Sequence, residues 1–378
     1  MGVNLQEFGS KLKRYREQLK LSLPEVVAST GVDEGRLAGF EEGVIAPSGD
    51  EVLILADFYK CDYRFFISNE RFAPFEQTES LYRRYGTEFS KEDRWSVQEF
   101  LFLCECEEYL LREGHRRHGE FQFKPQGKFL KAHGEAAAAS LRKYLGYGQQ
   151  DVPGDVYSDF RRIGVHVFRR HLNNSNISGL MIRHPFAGSC VLVNYSEDIY
   201  RQRFTVAHEA AHAILDREEF VVSFEKWERG NLIEIRANTF ASRYLLPPSV
   251  LTNLPEHRWN QENLVRWANA LKVSAIALAI GLKESQLIDE DAFASLSGVR
   301  VPREVKSDPE LAGLTGKALQ RKRSLLERGL SAAYVSTCFD GLSNGLITNA
   351  RAAEMLLVSE EELSDLARLF QVSLLAHE

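Results

Sequence analysis

The chain has 378 residues, 44% apolar and 26% charged, with a formal net charge of −6 from 47 basic and 53 acidic side chains. At roughly 150 residues per domain this is two or three domains with real cores; wholesale disorder is excluded, and there is no global electrostatic case for binding nucleic acid or anionic lipid. The longest apolar stretch, Ala275 to Leu282, is too short for a bilayer, and MGVNLQEFGSKLKRYREQ lacks a signal core, so no membrane partner and a cytoplasmic location are expected.

Residues 5 to 67 read as four or five short helices. Leu5, Phe8, Leu12, Tyr15 and Leu19 form one apolar face. A second helix opens at Ser22 with Pro24 in its first turn and stops at Gly31; a third runs from Val32 and Asp33 through Phe40 to Gly43; a fourth covers Glu51 to Tyr59. Short helix, glycine-containing turn and second helix make the helix-turn-helix arrangement. Residues 71 to 90 lack clear periodicity and read as a linker. A long helix is expected from Lys91 to about His118, and an alanine-rich one from Gly134 to Tyr144. GVHVF, ISGLMI and SCVLVN, between Gly164 and Asn194, are the strand territory. Helical periodicity resumes at Ile199 and continues almost to the end. Five cysteines, Cys61, Cys104, Cys106, Cys190 and Cys338, have no metal-type CxxC spacing and read as reduced thiols, with Cys338 in a turn-rich stretch.

The chemistry concentrates in RFTVAHEAAHAILD, Arg203 to Asp216. His208 and His212 are four apart, so on a helix both imidazoles leave the same face one turn apart, the spacing that grips one Zn²⁺ ion. Glu209 beside them is placed to act as general base and then acid. Ala207, Ala210 and Ala211 permit close helix approach. A site of this kind needs a third protein ligand, and Asp216, Glu225, Glu228 and Glu234 are the candidates. Asp216 lies one turn farther on the same helix and suits a supporting carboxylate better. Glu234, 22 residues beyond His212 at the start of EIRANTFASRYLL, allows a loop and an antiparallel return and is favoured. Asn238, four residues later on that face, is placed to hydrogen-bond the ligand carboxylate or a histidine.

FTVAHEAAHAIL followed by EIRANTFASRYLLPPSVL resembles the ImmA/IrrE-type metallopeptidases, whose pattern is HExxH, then E-x-x-A-N-x-F-A and a Leu-Leu-x-Pro ending. Glu234, Ala237, Asn238, Phe240, Ala241, Leu245, Leu246 and Pro248 match the second block. The resemblance implies a gluzincin-like peptidase domain that cuts a partner regulatory protein, often a repressor, to switch on phage, mobile-element or stress genes. It also implies fusion to an XRE-type helix-turn-helix domain. In that picture an edge strand beside the zinc pairs with extended substrate, and SCVLVN, Ser189 to Asn194, is the candidate, with a buried central strand as the alternative. His257, Tyr195 and Tyr200 are candidates for stabilising the oxyanion.

FGSKLKRYREQLKLSLPEVVASTGVDEGRLAGFEEGVIAP resembles an XRE-type domain at its core positions, but not at those that face DNA. The expected recognition helix opens Asp33-Glu34-Gly35-Arg36, and residues 1–70 hold eight basic against twelve acidic side chains. A phosphate-neutralising surface should be positive. Arg36, Lys11 and Arg14 are the candidate DNA contacts; the charge favours dimerisation, or docking of a substrate repressor, instead.

The expected fold class is α+β and mainly helical. Residues 1–70 form the helix-turn-helix bundle, 71–125 a linker and long helix, 126–300 the peptidase domain with a small β-sheet, and 301–378 a separate helical module. The expected function is zinc-dependent endopeptidase; the alternative is a helix-turn-helix transcriptional regulator or toxin–antitoxin component with a silent or structural metal site.

Overall fold

Local capping chemistry sets the first helices of the computed structural model, which describes residues 4–68, 76–116, 119, 121–127, 130–216, 220–224, 231–256 and 258–372. The chain divides into two compact units, residues 1–105 with 172–174, and residues 106–171 with 175–378.

In the first unit, α1 (Leu5–Gln18) starts where the Asn4 side chain accepts from the Gln6 and Glu7 amides. α2 (Leu23–Thr30) opens with a Ser22/Glu25 capping box and Pro24 and closes at Gly31, and α3 (Glu34–Glu41) is capped by Asp33. α4 (Gly49–Phe58), α5 (Tyr63–Ile67), α6 (Glu76–Tyr85) and α7 (Lys91–Glu113) follow, and the chain passes into the second unit within α7. Phe8, Leu12, Tyr15, Val26, Leu37, Phe40, Leu55 and Phe66 form one buried cluster. The stretch read as a linker therefore contains a helix, α6, where Leu81 and Tyr82 supply buried apolar contact without an obvious repeat.

The second unit holds α8 (Leu130–Leu145), α9 (Val156–Arg161), strands β1 (Val165–Arg170), β2 (Ile177–His184) and β3 (Gly188–Asn194), then α10 (Ile199–Leu215), β4 (Phe220–Phe224) and α11 (Leu232–Leu245). Next come α12 (Pro248–Leu251), α13 (Gln261–Ala270), α14 (Ala275–Glu284), α15 (Glu290–Leu296), α16 (Gly316–Glu327), α17 (Ala332–Ser343), α18 (Asn349–Met355) and α19 (Leu363–Phe370). The three expected strands form where expected. β4 is an addition, a short strand inside territory read as helical. Cys338 lies within α17, fully buried, and all five cysteines are free thiols.

The sheet order is β1-β3-β2-β4, with β1 parallel to β3 and the other pairs antiparallel. SCVLVN is thus an inner strand, correcting its candidacy as an edge. Its residues Cys190 to Val193 are fully buried because both flanks are paired and α10 covers one face. The edge beside β2 is β4.

Residues 301–372, expected as a separate module, pack within the same compact unit as the sheet. The Arg169 guanidinium on β1 donates to Asp308 at 2.6 Å, the Phe168 and Tyr334 rings meet edge-on at 5.2 Å, and the His171 amide donates to the Glu327 carbonyl. Among the described residues no single helix is long and apolar enough to cross a membrane; the bent pair α13 and α14 has that composition jointly and puts Leu264, Ala268, Leu278, Ala279 and Leu282 in the core.

Candidate metal centre

The helix that carries the HExxH segment is held from both sides. Asp198 caps α10 through the Tyr200 amide, and Val206, Ala207, Ala210 and Ala211 sink into the core shared with Val167, Met181 and Val191. Under α10 lies Gly179 of β2, where a Cβ would stand 2.7 Å from Thr205 Cγ2, 2.9 Å from the Leu192 carbonyl oxygen and 3.2 Å from Glu209 Cγ. A glycine inside a strand marks such a close approach. ISGLMI carried that signal, though not which helix it would meet.

α11 returns against α10 and brings Glu234 in its first turn, capped by Asn231. Gly134 of α8 makes room for α11, since a Cβ there would collide with the Arg236 carbonyl. His208 Nε2 and His212 Nε2 are 3.0 Å apart, and Glu234 Oε2 and Oε1 lie 3.3 and 3.6 Å from them respectively. The three ligand atoms fall within 4.8 Å of one another. Ligands about 2.1 Å from one tetrahedral ion sit about 3.4 Å apart, so the set fits a zinc-like cation. Both histidines are fully buried. Burial, aided by the neighbouring His212 and opposed by Glu234, pushes the His208 pKa down to about 4, which keeps its imidazole neutral at pH 7 and able to donate a lone pair. Burial raises the Glu234 carboxyl, but its hydrogen bond with His208 and the attraction of the two neighbouring imidazole groups outweigh it and lower the pKa overall.

Glu209 is fully buried, and neither carboxylate oxygen has a hydrogen-bond partner among the described residues. The Ser223 hydroxyl of β4 lies near it without meeting hydrogen-bond geometry. Burial, eased by His212 and Ser223 and reinforced by Glu234 and Glu197, pushes the Glu209 pKa up to about 8. A buried carboxyl left without partners is costly to the fold and therefore points to function.

Asp216 takes the supporting role expected of it: its Oδ2 accepts from His212 Nδ1 at 2.6 Å. Its other oxygen pairs with Arg236 of α11, and Arg183 of β2 donates to its carbonyl at 2.7 Å. Nothing in the sequence pointed to Arg236 or Arg183, whose partners are distant along the chain. Asn238, one turn beyond Glu234 on α11, lies beside His208 and lines the groove next to the cluster. Glu225, Glu228 and His257 lie outside the described residues. Tyr200 commits its hydroxyl to Asn269, and Tyr195 packs its ring against Arg169.

A groove of about 420 Å³ opens beside the cluster, walled by Phe204, Ile235, Leu246, Ile276 and Ile280 with Asn238 at its near end. Phe204 also stacks on His208, with centroids 6.4 Å apart.

In the first unit the candidate DNA contacts are engaged internally. Lys11 is corrected outright: it is 3% exposed and donates to the Phe65 and Ser68 carbonyls at 2.6 Å each. Arg14 pairs with Glu79, and Arg36 is held by both carboxylate oxygens of Glu51 at 2.7 and 2.8 Å.

Residues 160–283 match the IrrE N-terminal-like domain, and residues 7–63 match a helix-turn-helix domain. The chain is also 30% identical over 154 residues to the radiation response metalloprotease IrrE of Deinococcus radiodurans, an alignment covering 39% of this chain and 46% of that protein. Fold, ligand geometry and these likenesses agree that the chain carries an IrrE N-terminal-like domain behind an amino-terminal helix-turn-helix domain.

Proposed function

We propose that this protein is a zinc-dependent endopeptidase that cleaves a partner regulatory protein, a helix-turn-helix repressor, and so controls phage, mobile-element or stress-response genes. The observation that carries the reading is the buried Glu209 carboxylate, without a hydrogen-bond partner among the described residues, beside three converging ligand atoms. His208, His212 and Glu234 would hold the zinc, which when bound supplies the positive charge that activates water and polarises a peptide carbonyl. Glu209 takes a proton from the attacking water and returns it to the leaving amine. Asp216 keeps the His212 ring oriented, and Arg236 keeps Asp216 in place. β4, the outer strand beside β2 among the described residues, offers backbone groups to an extended substrate, and the apolar groove accepts one of its side chains. The likeness to a metalloprotease supports the chemistry; substrate and regulated genes belong to the proposal alone. In this reading the helix-turn-helix domain docks protein rather than DNA, in keeping with its acidic balance and its engaged arginines.

The test is to express wild type and Glu209→Gln in cells, label new protein N-termini and identify those present only with wild type. One regulatory protein cut at one site, with zinc retained by both variants, is expected. Identical N-termini in both would remove the peptidase and leave a helix-turn-helix regulator with a silent site.

A further inference from the structure

The second unit contains a cavity of about 570 Å³, a size typical of small-molecule sites, where α9, α10 and the turn after α13 face the C-terminal helices α16, α17 and α19. None of His208, Glu209, His212 and Glu234 lines it. Five basic side chains do, Arg161, Arg169, Arg203, Lys272 and Lys322, against three acidic ones, Asp155, Asp308 and Glu310.

These charges are unevenly matched. Arg169 is neutralised by Asp308 at 2.6 Å and Glu310 at 3.8 Å. Arg203, 4% exposed, donates to the carbonyls of Pro153, Gly154 and Lys272 at 2.6, 2.8 and 3.2 Å, which hold it in place but carry no net charge. Lys322, 7% exposed, stands 4.0 Å from Glu310 and 4.1 Å over the Phe370 ring. One further polar atom of the lining, Tyr157 Oη, is buried with no hydrogen-bond partner among the described residues, whereas Arg161 is paired with Glu107 at 3.9 Å and donates to the Val167 carbonyl at 2.6 Å. Anchoring of the fold accounts for Arg203. It does not account for a buried, loosely paired lysine or for an orphaned hydroxyl beside the same space, since buried polar groups are normally satisfied. What they share is that each would be satisfied by negatively charged oxygen.

We propose that this cavity binds a small anionic metabolite of nucleotide or polycarboxylate size, its charged group held by Lys322 and Arg203, with the Tyr157 hydroxyl donating to it. The ligand's phosphate or carboxylate oxygens replace the missing partners, and the cavity's positive excess is neutralised. Tyr200 and Arg203 belong to α10, so an occupant touches the helix that carries His208 five residues beyond Arg203.

Isothermal titration of the full chain with AMP, citrate and uncharged adenosine tests this without any peptide hydrolysis, so its outcome is independent of the proposed peptidase. One of the two anions is expected to bind with a Kd below ~1 mM, adenosine is not, and the anion that binds tells a phosphate site from a carboxylate site. Lys322→Met should weaken binding at least tenfold. It removes a buried charge and should fold; Tyr157→Phe, which deletes only a hydroxyl, should weaken binding at least twofold and decides the matter if Lys322→Met does not fold. No binding of either anion at about 5 mM, equal binding of adenosine, or unchanged affinity in the folded variants would overturn the site.

Discussion

The Nδ1–H of His212 donates to the Asp216 carboxylate across 2.6 Å, one turn farther along and just past the end of α10. Because a carboxylate only accepts, this bond sets the tautomer and leaves the His212 Nε2 lone pair facing His208 and Glu234. The other Asp216 oxygen is held by Arg236, two residues after Glu234 on α11. One helix thus supplies both the carboxylate ligand and the clamp on the histidine's partner.

Asp216→Ala is accordingly expected to lower zinc affinity by about 10- to 100-fold, while Asp216→Asn, which keeps an acceptor, falls between it and wild type. Competition against a chelator measures both. Equal affinity in all three would show that the bond does not support the metal site.

Gly179→Ala should destabilise the protein by about 1–3 kcal/mol, the range for overpacking a tight core, because the added methyl meets Thr205 and a backbone carbonyl that cannot swing away. The shift falls on α10 at Glu209, so cleavage should suffer more than stability. Urea denaturation and a cleavage assay on the same preparation separate the two effects.

His166 on β1 offers a pH-dependent test remote from the metal cluster. Burial opposes its charge, but hydrogen bonds that its ring donates to Glu107 at 2.7 Å and Glu108 at 3.2 Å, both on α7, outweigh it and raise the pKa from 6.5 to about 10; Cys190 on the paired strand and Arg161 of α9 beside Glu107 also face it. A proton bound more tightly in the folded state stabilises fully below the unfolded value. That contribution is lost as pH rises from about 6.5 towards 10, at up to about 1.4 kcal/mol per pH unit. Denaturant midpoints at pH 6, 8 and 10 should fall in wild type and flatten in His166→Gln.

The helix-turn-helix unit should not retain duplex DNA even at low salt, since Lys11 is buried and Arg14 and Arg36 are paired with acids. Arg36→Glu should leave this unchanged. Salt-dependent retention by wild type that is lost in Arg36→Glu would show that the Glu51 pairing yields to phosphate.

By itself the sequence determined whatever depends on neighbours within a turn or two of chain. The HExxH spacing placed His208 and His212 on one face, Ser22 and Gly31 marked the ends of α2, and period-two runs located β1 to β3, because helix and strand periodicity are local geometry. Only tertiary structure decided which distant groups meet. It brought Glu234 to the two imidazoles and set Asp216 behind His212, paired SCVLVN on both sides, added β4, turned Lys11 inward and packed residues 301–372 into the unit that holds the sheet. Each of these outcomes rests on burial and ion pairing between segments tens to hundreds of residues apart, and no spacing within a single segment records its partner.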